Sequence, residues 1–436
     1  MSFEISPDFK TAECQDFCDR VADGTHDSPK ETAVGKRLVT SKNVKGGRLE
    51  LDSAYLISYE DFESINKRSK VDQWDLLLTM IGTVGEVCLV TDPEPDFAIK
   101  NVGLLKCGDE LKAKWLYYFL RSPQGQTLIE ERKKGSTQQY VSLTELRKLP
   151  ISYPDDLSVM RRIVEDLSGI DDRITLLRET NTTLEAIAQA LFNSWFVDFD
   201  PVHAKMQGLA PEGMDEATAA LFPDSFEESE LGPVPKGWQV KSLDAVASFL
   251  NGLALQKFPP TGDNDLPVIK IAQLRKGDTV GADLASRSIK PEYLVQNGDV
   301  LFSWSGSLEV EIWCGGEGAL NQHLFKVTSG AFPKWFYFLW TRHHLEHFRQ
   351  VAASKATTMG HIQRAHLTGA KVLVPSDGVL NAANSVLEPI MQRVIENSLQ
   401  AYNLAALRDT LLPRLISGQL RLSGLELISN AEVLSE

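Results

Sequence analysis

What the chain lacks narrows its class before any motif is considered. Its 436 residues contain no apolar run of about 18, so no membrane-spanning helix is expected. The opening "MSFEISPDFKTAECQDF" has no basic stretch leading into an apolar one, and a cytoplasmic protein is the expectation. Cysteine is scarce: five residues, at 14, 18, 88, 107 and 314, with no CxxC pair, which points to reduced structural thiols. Signatures of chemistry are missing too. There is no GxxxxGK[ST] phosphate loop, no Asn- or Asp-Pro-Pro-aromatic methyltransferase motif and no HExxH. "CGGEG" (314–318) lacks the GxGxxG spacing and reads as a turn. His343 and His347 are spaced for a helical metal pair, but only Glu346 could join them, and no metal site is expected.

The length suits two or three domains, and 43% hydrophobic residues suffice for real cores. Net charge is −14, yet it is unevenly spread: between Asp198 and Glu230 nine acidic side chains face Lys205 alone. Residues 30–48 carry six cations against Glu31, and residues 334–371 carry six against Glu346 together with five histidines. Bulk charge therefore does not exclude a polyanion, because phosphate contacts are local.

The chain repeats itself. "DLLLTMIG" (75–82) matches "DVLFSWSG" (299–306), and "NVGLLK" (101–106) matches "NQHLFK" (321–326). "KWLYYFL" (114–120) matches "KWFYFLW" (334–340), and "TQQYVSLTELRKLPISYP" (137–154) matches "TMGHIQRAHLTGAKVLVP" (358–375). "LEAIAQALF" (184–192) matches "LAALRDTLL" (404–412); the shift stays between 220 and 224 throughout. Each copy reads as short strands broken by Gly and Pro turns, an amphipathic segment at the Lys-Trp pair, a last strand and a long helix. The first helix carries a heptad seam of Ile163, Leu167, Ile170, Ile174, Leu177, Asn181, Leu184, Ala188, Leu191 and Trp195. The second carries Ile390, Val394, Asn397, Ala401, Leu404, Leu407 and Leu411. Neither seam is comfortable alone, so the two helices are expected to pair, with Asn181 and Asn397 as polar positions that fix register.

The expected fold is therefore α/β (α+β): two similar mixed globular units joined by two long helices in an antiparallel coiled coil, with a pseudo-twofold internal repeat. The boundaries read as 1–155 for the first unit, 156–197 for the first helix and 198–231 for an acidic linker. The second unit spans 232–376, the second helix 377–424 and a tail 425–436. Helix one, if unbroken, would be about 58 Å long, a rigid ruler between two readers of duplex DNA, whose half-sites recur on one face every ~34 Å.

At "NTTLEAIAQALFNSWFVDFDPVHAK" (181–205), "GPVPKGWQVKSL" (232–243) and "LRDTLLPRLISGQL" (407–420) the chain resembles the DNA specificity subunits of type I restriction-modification systems. The first half departs from the pattern by lacking the Pro-Lys-Gly-Trp opening. The resemblance implies two target recognition domains, each reading half of a split, asymmetric site in double-stranded DNA. It implies a subunit without catalysis of its own, which recruits two adenine-N6 methyltransferase (modification) subunits and the restriction subunits that translocate and cut. S-adenosylmethionine, ATP and Mg would then bind those partners, and this chain would hold no cofactor.

Base-reading candidates are loop residues whose side chains match groove-edge donors and acceptors. In the first half these are Thr25, His26 and Lys30, then Lys42, Asn43 and Lys45. The densest patch is "ERKKGSTQQY", with Arg132, Lys133, Lys134, Ser136, Thr137, Gln138 and Gln139. In the second half they are Asn321, Gln322 and His323, then Lys355, Thr357, Thr358, His361 and Arg364. Pro413 is expected to end or kink the second helix, Gly418 to cap it, and Leu420 and Leu422 to fold back. Leu191, Phe192, Trp195 and Phe196, with Leu411, Leu412, Leu415 and Leu420, are expected as apolar patches for partner docking; packing against the chain's own units is the competing reading. A coiled-coil interaction scaffold or acidic DNA mimic remains the alternative function, and an enzyme with an unrecognised site a third.

Overall fold

The computed structural model describes residues 6–354 and 360–420. The chain divides into two compact units, residues 1–172 with 405–436 and residues 173–404.

In the first unit, "DLLLT" and "VGLLK" form the central strands of an antiparallel sheet ordered Arg20–Asp23, Val102–Lys106, Asp75–Thr79, Val87–Leu89. Side chains alternate between faces along a strand, and here both faces are covered, which explains the unbroken apolar runs. Leu76, Leu78 and Leu105 join a core with Trp115 and Phe119; Leu77 and Leu104 join a second core with Val39 and Phe97. A smaller sheet orders Leu56–Ile57, Lys36–Val39 and Phe97–Ile99, the last two parallel. Phe9–Glu13 pairs antiparallel with Pro150–Pro154.

The second unit repeats this plan. Its main sheet is ordered Ser248–Asn251, Leu324–Thr328, Val300–Ser303, Val310–Ile312, so each sequence-matched strand takes the same place in the order. The smaller sheet again has a parallel pair, Leu266–Ile269 with Gly318–Leu320. Gln239–Ser242 pairs with Lys371–Val374 as Phe9–Glu13 does with Pro150–Pro154. Lys10 sits opposite Tyr153 and Gln239 opposite Val374, which makes "SPDFK" the first copy's counterpart of the Pro-Lys-Gly-Trp opening, with Phe9 in place of Trp238.

The long helices are Leu157–Phe192, closed by a π-type turn at Asn193–Val197, and Asp377–Ile416. In the first unit, Met160, Ile163, Val164 and Leu167 from the start of one share a core with Leu412, Leu415 and Ile416 from the end of the other. In the second unit, Ala188 and Phe192 share a core with Val379, Ala383, Leu387 and Met391. Both pairings are antiparallel. The two seam asparagines are buried and satisfied: Asn397 donates to Asn181 Oδ1 at 2.9 Å, and Asn181 Nδ2 donates to the Val394 carbonyl and Ser398 Oγ, each at 2.9 Å.

Four expectations change. The helix passes through Pro413 to Ile416, because burying Leu412, Leu415 and Ile416 outweighs the one lost backbone bond. Leu407 is not on the seam; it is 41% exposed, and Arg408 turns inward instead. The stretch 198–231 is not a bare linker. It folds into helices Asp200–Met206 and Glu216–Leu221 and the strand Phe226–Ser229, and it buries Val202 and Phe222 in the second unit's core. Phe192, Phe196, Leu412 and Leu415 are not surface patches. The two phenylalanines are fully buried among Trp340, Trp238 and Trp335, and Leu191, Trp195, Leu411 and Leu420 are half-buried against the same cores. Large aromatic side chains at a helix end found intramolecular partners. Gly418 does cap the helix: at φ 73° it is left-handed, and Leu420 N–H returns to the Arg414 carbonyl at 3.0 Å. Leu422 lies outside the described residues.

A half-buried network ties sheet-side and long helices together in the first unit. Tyr118 on Glu110–Arg121 donates to Asp171 at 3.0 Å, and Arg408 bonds the other Asp171 oxygen at 2.6 Å. Burial opposes the Arg408 charge, but Asp171 and Asp409 more than offset it and hold the guanidinium protonated. Arg408→Ala leaves Asp171 without its cation, and unfolding at neutral pH should show a loss of about 2–4 kcal/mol.

Candidate nucleic-acid interface

The antiparallel register decides which loops share an edge. In the first unit Asp23 lies opposite Gly103, and Val102 opposite Thr79. The chain leaving Asp23, the turn before Val102 and the turn after Thr79 therefore emerge at the same end of the sheet. Gly24 makes this possible, since a Cβ there would lie 2.3 Å from the Ile99 carbonyl oxygen. The hairpin from Lys134 to Tyr140 closes with two backbone bonds of 2.8 and 2.9 Å. It docks on the turn after Thr79 through Gly82 N–H to the Gln139 carbonyl, 3.1 Å.

Within this edge, His26 Nδ1 meets Asn101 Oδ1 at 2.9 Å and its Nε2 meets Asp23 at 3.0 Å. Ser136, Thr137, Gln138 and Gln139 are exposed. The neighbouring cations are less available than their charges suggest. Lys133 pairs with Glu130 at 2.5 Å, Lys134 with Glu145 at 2.9 Å, and Arg132 donates to the Leu128 carbonyl. Lys42 and Lys30 are exposed, and Lys45 pairs with Glu50 at 2.8 Å. Two candidates are structural. Asn43 is buried and spends its amide on Thr40 N–H, Thr40 Oγ1, the Glu50 carbonyl and Ser53 Oγ. Thr25 is buried, its hydroxyl accepting from Asp27 N–H.

The second unit builds the same edge from different side chains. Gly252 has the role of Gly24: its Cβ would meet the Asn321 carbonyl at 2.2 Å. Ser305 pairs with His361 as Ile81 does with Tyr140. Trp304 is half-exposed, its ring 6.0 Å from His323 and 6.2 Å from His361, and its Nε1 donates to Asn251 Oδ1 at 2.9 Å. His323 Nδ1 bonds Ser305 Oγ at 2.9 Å, and Gln322 lies 3.3 Å from Nε2. Asn321 is buried and holds the turn by accepting from His323 N–H, so it is not a reader. Arg364 is anchored to the Phe249 carbonyl at 3.2 Å and lies over the Phe325 ring. Lys355, Thr357 and Thr358 lie outside the described residues.

Sequence reasoning missed Trp304, Asn251, Asn101 and Tyr140. The repeat held the signal: "DLLLT" and "DVLFS" are matched strands, and the residue directly after the second is Trp304. Strand pairing then identifies the partner turns. Among the described residues no group of three or more His, Cys, Asp or Glu side chains could hold a metal ion, and no helix is long and apolar enough to cross a membrane. The five cysteines are free thiols; burial pushes Cys88 up to about 12.

Comparison with known proteins agrees with this layout. The family model described as "Type I restriction modification DNA specificity domain" matches residues 8–186. The MjaIX type I restriction enzyme specificity subunit of Methanocaldococcus jannaschii is 25% identical over 361 residues, covering 80% of this chain and 78% of that protein. The HindI specificity subunit of Haemophilus influenzae is 24% identical over 345 residues, covering 67% and 73%. In fold, the crystal structure of a type I restriction-modification S subunit from M. genitalium aligns with a TM-score of 0.51 over 95% of this chain and 97% of that one, at 15% identity.

Asn43→Ala should cost about 1–3 kcal/mol, because it leaves buried partners unsatisfied, while the exposed edge is untouched. A thermal-unfolding midpoint equal to that of the parent chain would contradict this structural assignment.

Proposed function

We propose that this chain is a specificity subunit of the type I restriction-modification kind, whose two units read the two halves of a split, asymmetric DNA target. The observation that carries the reading is the duplicated sheet edge. One backbone register presents His26, Asn101 and the 136–139 loop in one copy, and Asn251, Trp304, Gln322, His323 and His361 in the other. Equal scaffolds with unequal side chains suit two different half-sites.

The side-chain types fit groove recognition. Gln138 and Gln139 offer amides able to pair with adenine in the major groove, and the Trp304 ring offers an apolar face to a thymine methyl or sugar. Phosphate contacts fall to the exposed Lys30 and Lys42, since Lys133 and Lys134 already have acidic partners. The paired long helices set the number of unread base pairs between the halves. The chain performs no chemistry itself. Two modification subunits, methylating adenine N6 from S-adenosylmethionine, and ATP- and Mg-dependent restriction subunits act at the site it selects. The acidic stretch that favours a DNA mimic is used instead to complete the second unit's core.

Methylome sequencing of the host with and without this gene should show one bipartite adenine-methylation motif disappear; an unchanged methylome overturns the proposal. Gln138→Ala with Gln139→Ala should relax the first half of that motif, and Trp304→Ala the second, each weakening specific binding by about 1–3 kcal/mol. If both variants keep parental affinity and motif, the assigned edge is wrong. Removing seven residues from each long helix should shorten the unread spacer by about 3 base pairs, from ~1.5 Å of helix per residue. A fixed spacer would refute the ruler.

A further inference from the structure

The two units differ where the long helices meet the helix behind the main sheet. In the first unit that place is filled by Tyr118, Asp171 and Arg408, the tyrosine and the arginine each donating to Asp171. The repeat, at a shift of 220, puts Phe338, Met391 and Ala188 at these positions in the second unit. All three line a cavity of about 110 Å³. Alanine in place of arginine removes the guanidinium and the chain that carried it, and the space is several times what one water needs.

Two carboxylates reach this cavity. Glu185 is paired with Arg342 at 3.0 Å, and Arg342 also lies over the Phe338 ring at 5.8 Å. Glu311 stands where the first unit has Cys88, each opposite the central strand residue Leu301 or Leu77. Counting Glu185, Glu311 and Arg342, the lining is one positive charge short of neutrality. Burial pushes the Glu311 carboxyl up to about 7, with Glu185 and Glu309 adding to the rise and Arg342 opposing it.

We propose that this cavity is a binding site for one small guanidinium-bearing solute, held by Glu311 in the place that Arg408 occupies in the first unit. Bound there, the cation would bridge the strand Val310–Ile312 and the long helices by hydrogen bonds, where in the first unit Arg408, carried on one long helix, bonds Asp171 on the other. The second unit would thereby gain a junction whose stiffness depends on a solute. The inference does not depend on the DNA reading, because the ligand and its test involve no nucleic acid.

Cys314 supplies the probe. It lines the cavity, and it is the one cysteine of the five that is not buried. In the full chain at pH 8, low-millimolar guanidinium chloride should slow alkylation of Cys314 at least fivefold, saturably, with site-resolved mass spectrometry as the readout. Sodium, potassium and tetramethylammonium chlorides should not. Protection should fade as pH falls through about 7, where Glu311 takes up a proton and its charge is lost. Glu311→Gln should abolish protection, and Ala188→Arg should slow alkylation without any ligand. Equal protection by the alkali chlorides, or guanidinium protection that survives either low pH or Glu311→Gln, would overturn the proposal. The pH series uses the parent chain, so it remains decisive if a variant does not fold.

Discussion

The hydrogen bond between the side chains of Asn181 and Asn397 is the constraint on which the helix pairing rests. An apolar seam alone tolerates a slip by one heptad, since leucine against isoleucine is nearly as good as the reverse. A buried amide does not: displaced by one turn, it would face hydrocarbon with its donors unmet, at a cost of the order of several kcal/mol. With Val394 and Ser398 completing the set, one alignment of the two helices is satisfied and its neighbours are not. Each helix is continuous through this point.

Duplication gave the chain two copies of a scaffold, and divergence then acted on what the scaffold leaves free. The glycines at 24 and 252 remained because two backbones pass too close for a Cβ. Trp115 and Trp335 remained as fully buried anchors, although their indole N–H groups find different acceptors, the Ser152 carbonyl and Asn384. At the sheet edges, by contrast, His26 and Asn101 bear no resemblance to Trp304 and His323. Packing resists change and solvent-facing edges permit it, which is why the edges can differ without disturbing the fold.

Much of this was legible in the chain. The repeat located the strands, and the three–four spacing from Ile163 to Asn181 marked a real buried stripe. Where reading failed, the reason was tertiary. Pro413 breaks a helix in isolation, but not one whose next apolar residues, Leu415 and Ile416, are anchored in a core. Phe192 and Phe196 looked like surplus apolar surface because their partners Trp238, Trp335 and Trp340 are far away in sequence. Asn43 and Asn321 have the right chemistry for base reading, and only coordinates reveal that the same chemistry is spent holding a turn. Composition could not reveal that an acidic stretch with nine carboxylates also carries Val202 and Phe222 into a core.

The hydrogen bond from Ser6 N–H to the Ser417 carbonyl, 3.0 Å long, has a bearing on synthesis. The second unit is one uninterrupted segment, finished once residue 404 has emerged, whereas the first needs Leu412, Leu415 and Ile416 to cover Met160 and Ile163. The part translated first is thus the part completed last. Until those three residues leave the ribosome, the apolar stripe from Met160 to Leu167 lacks part of its cover, a hazard that a chaperone or a truncated product would feel most keenly.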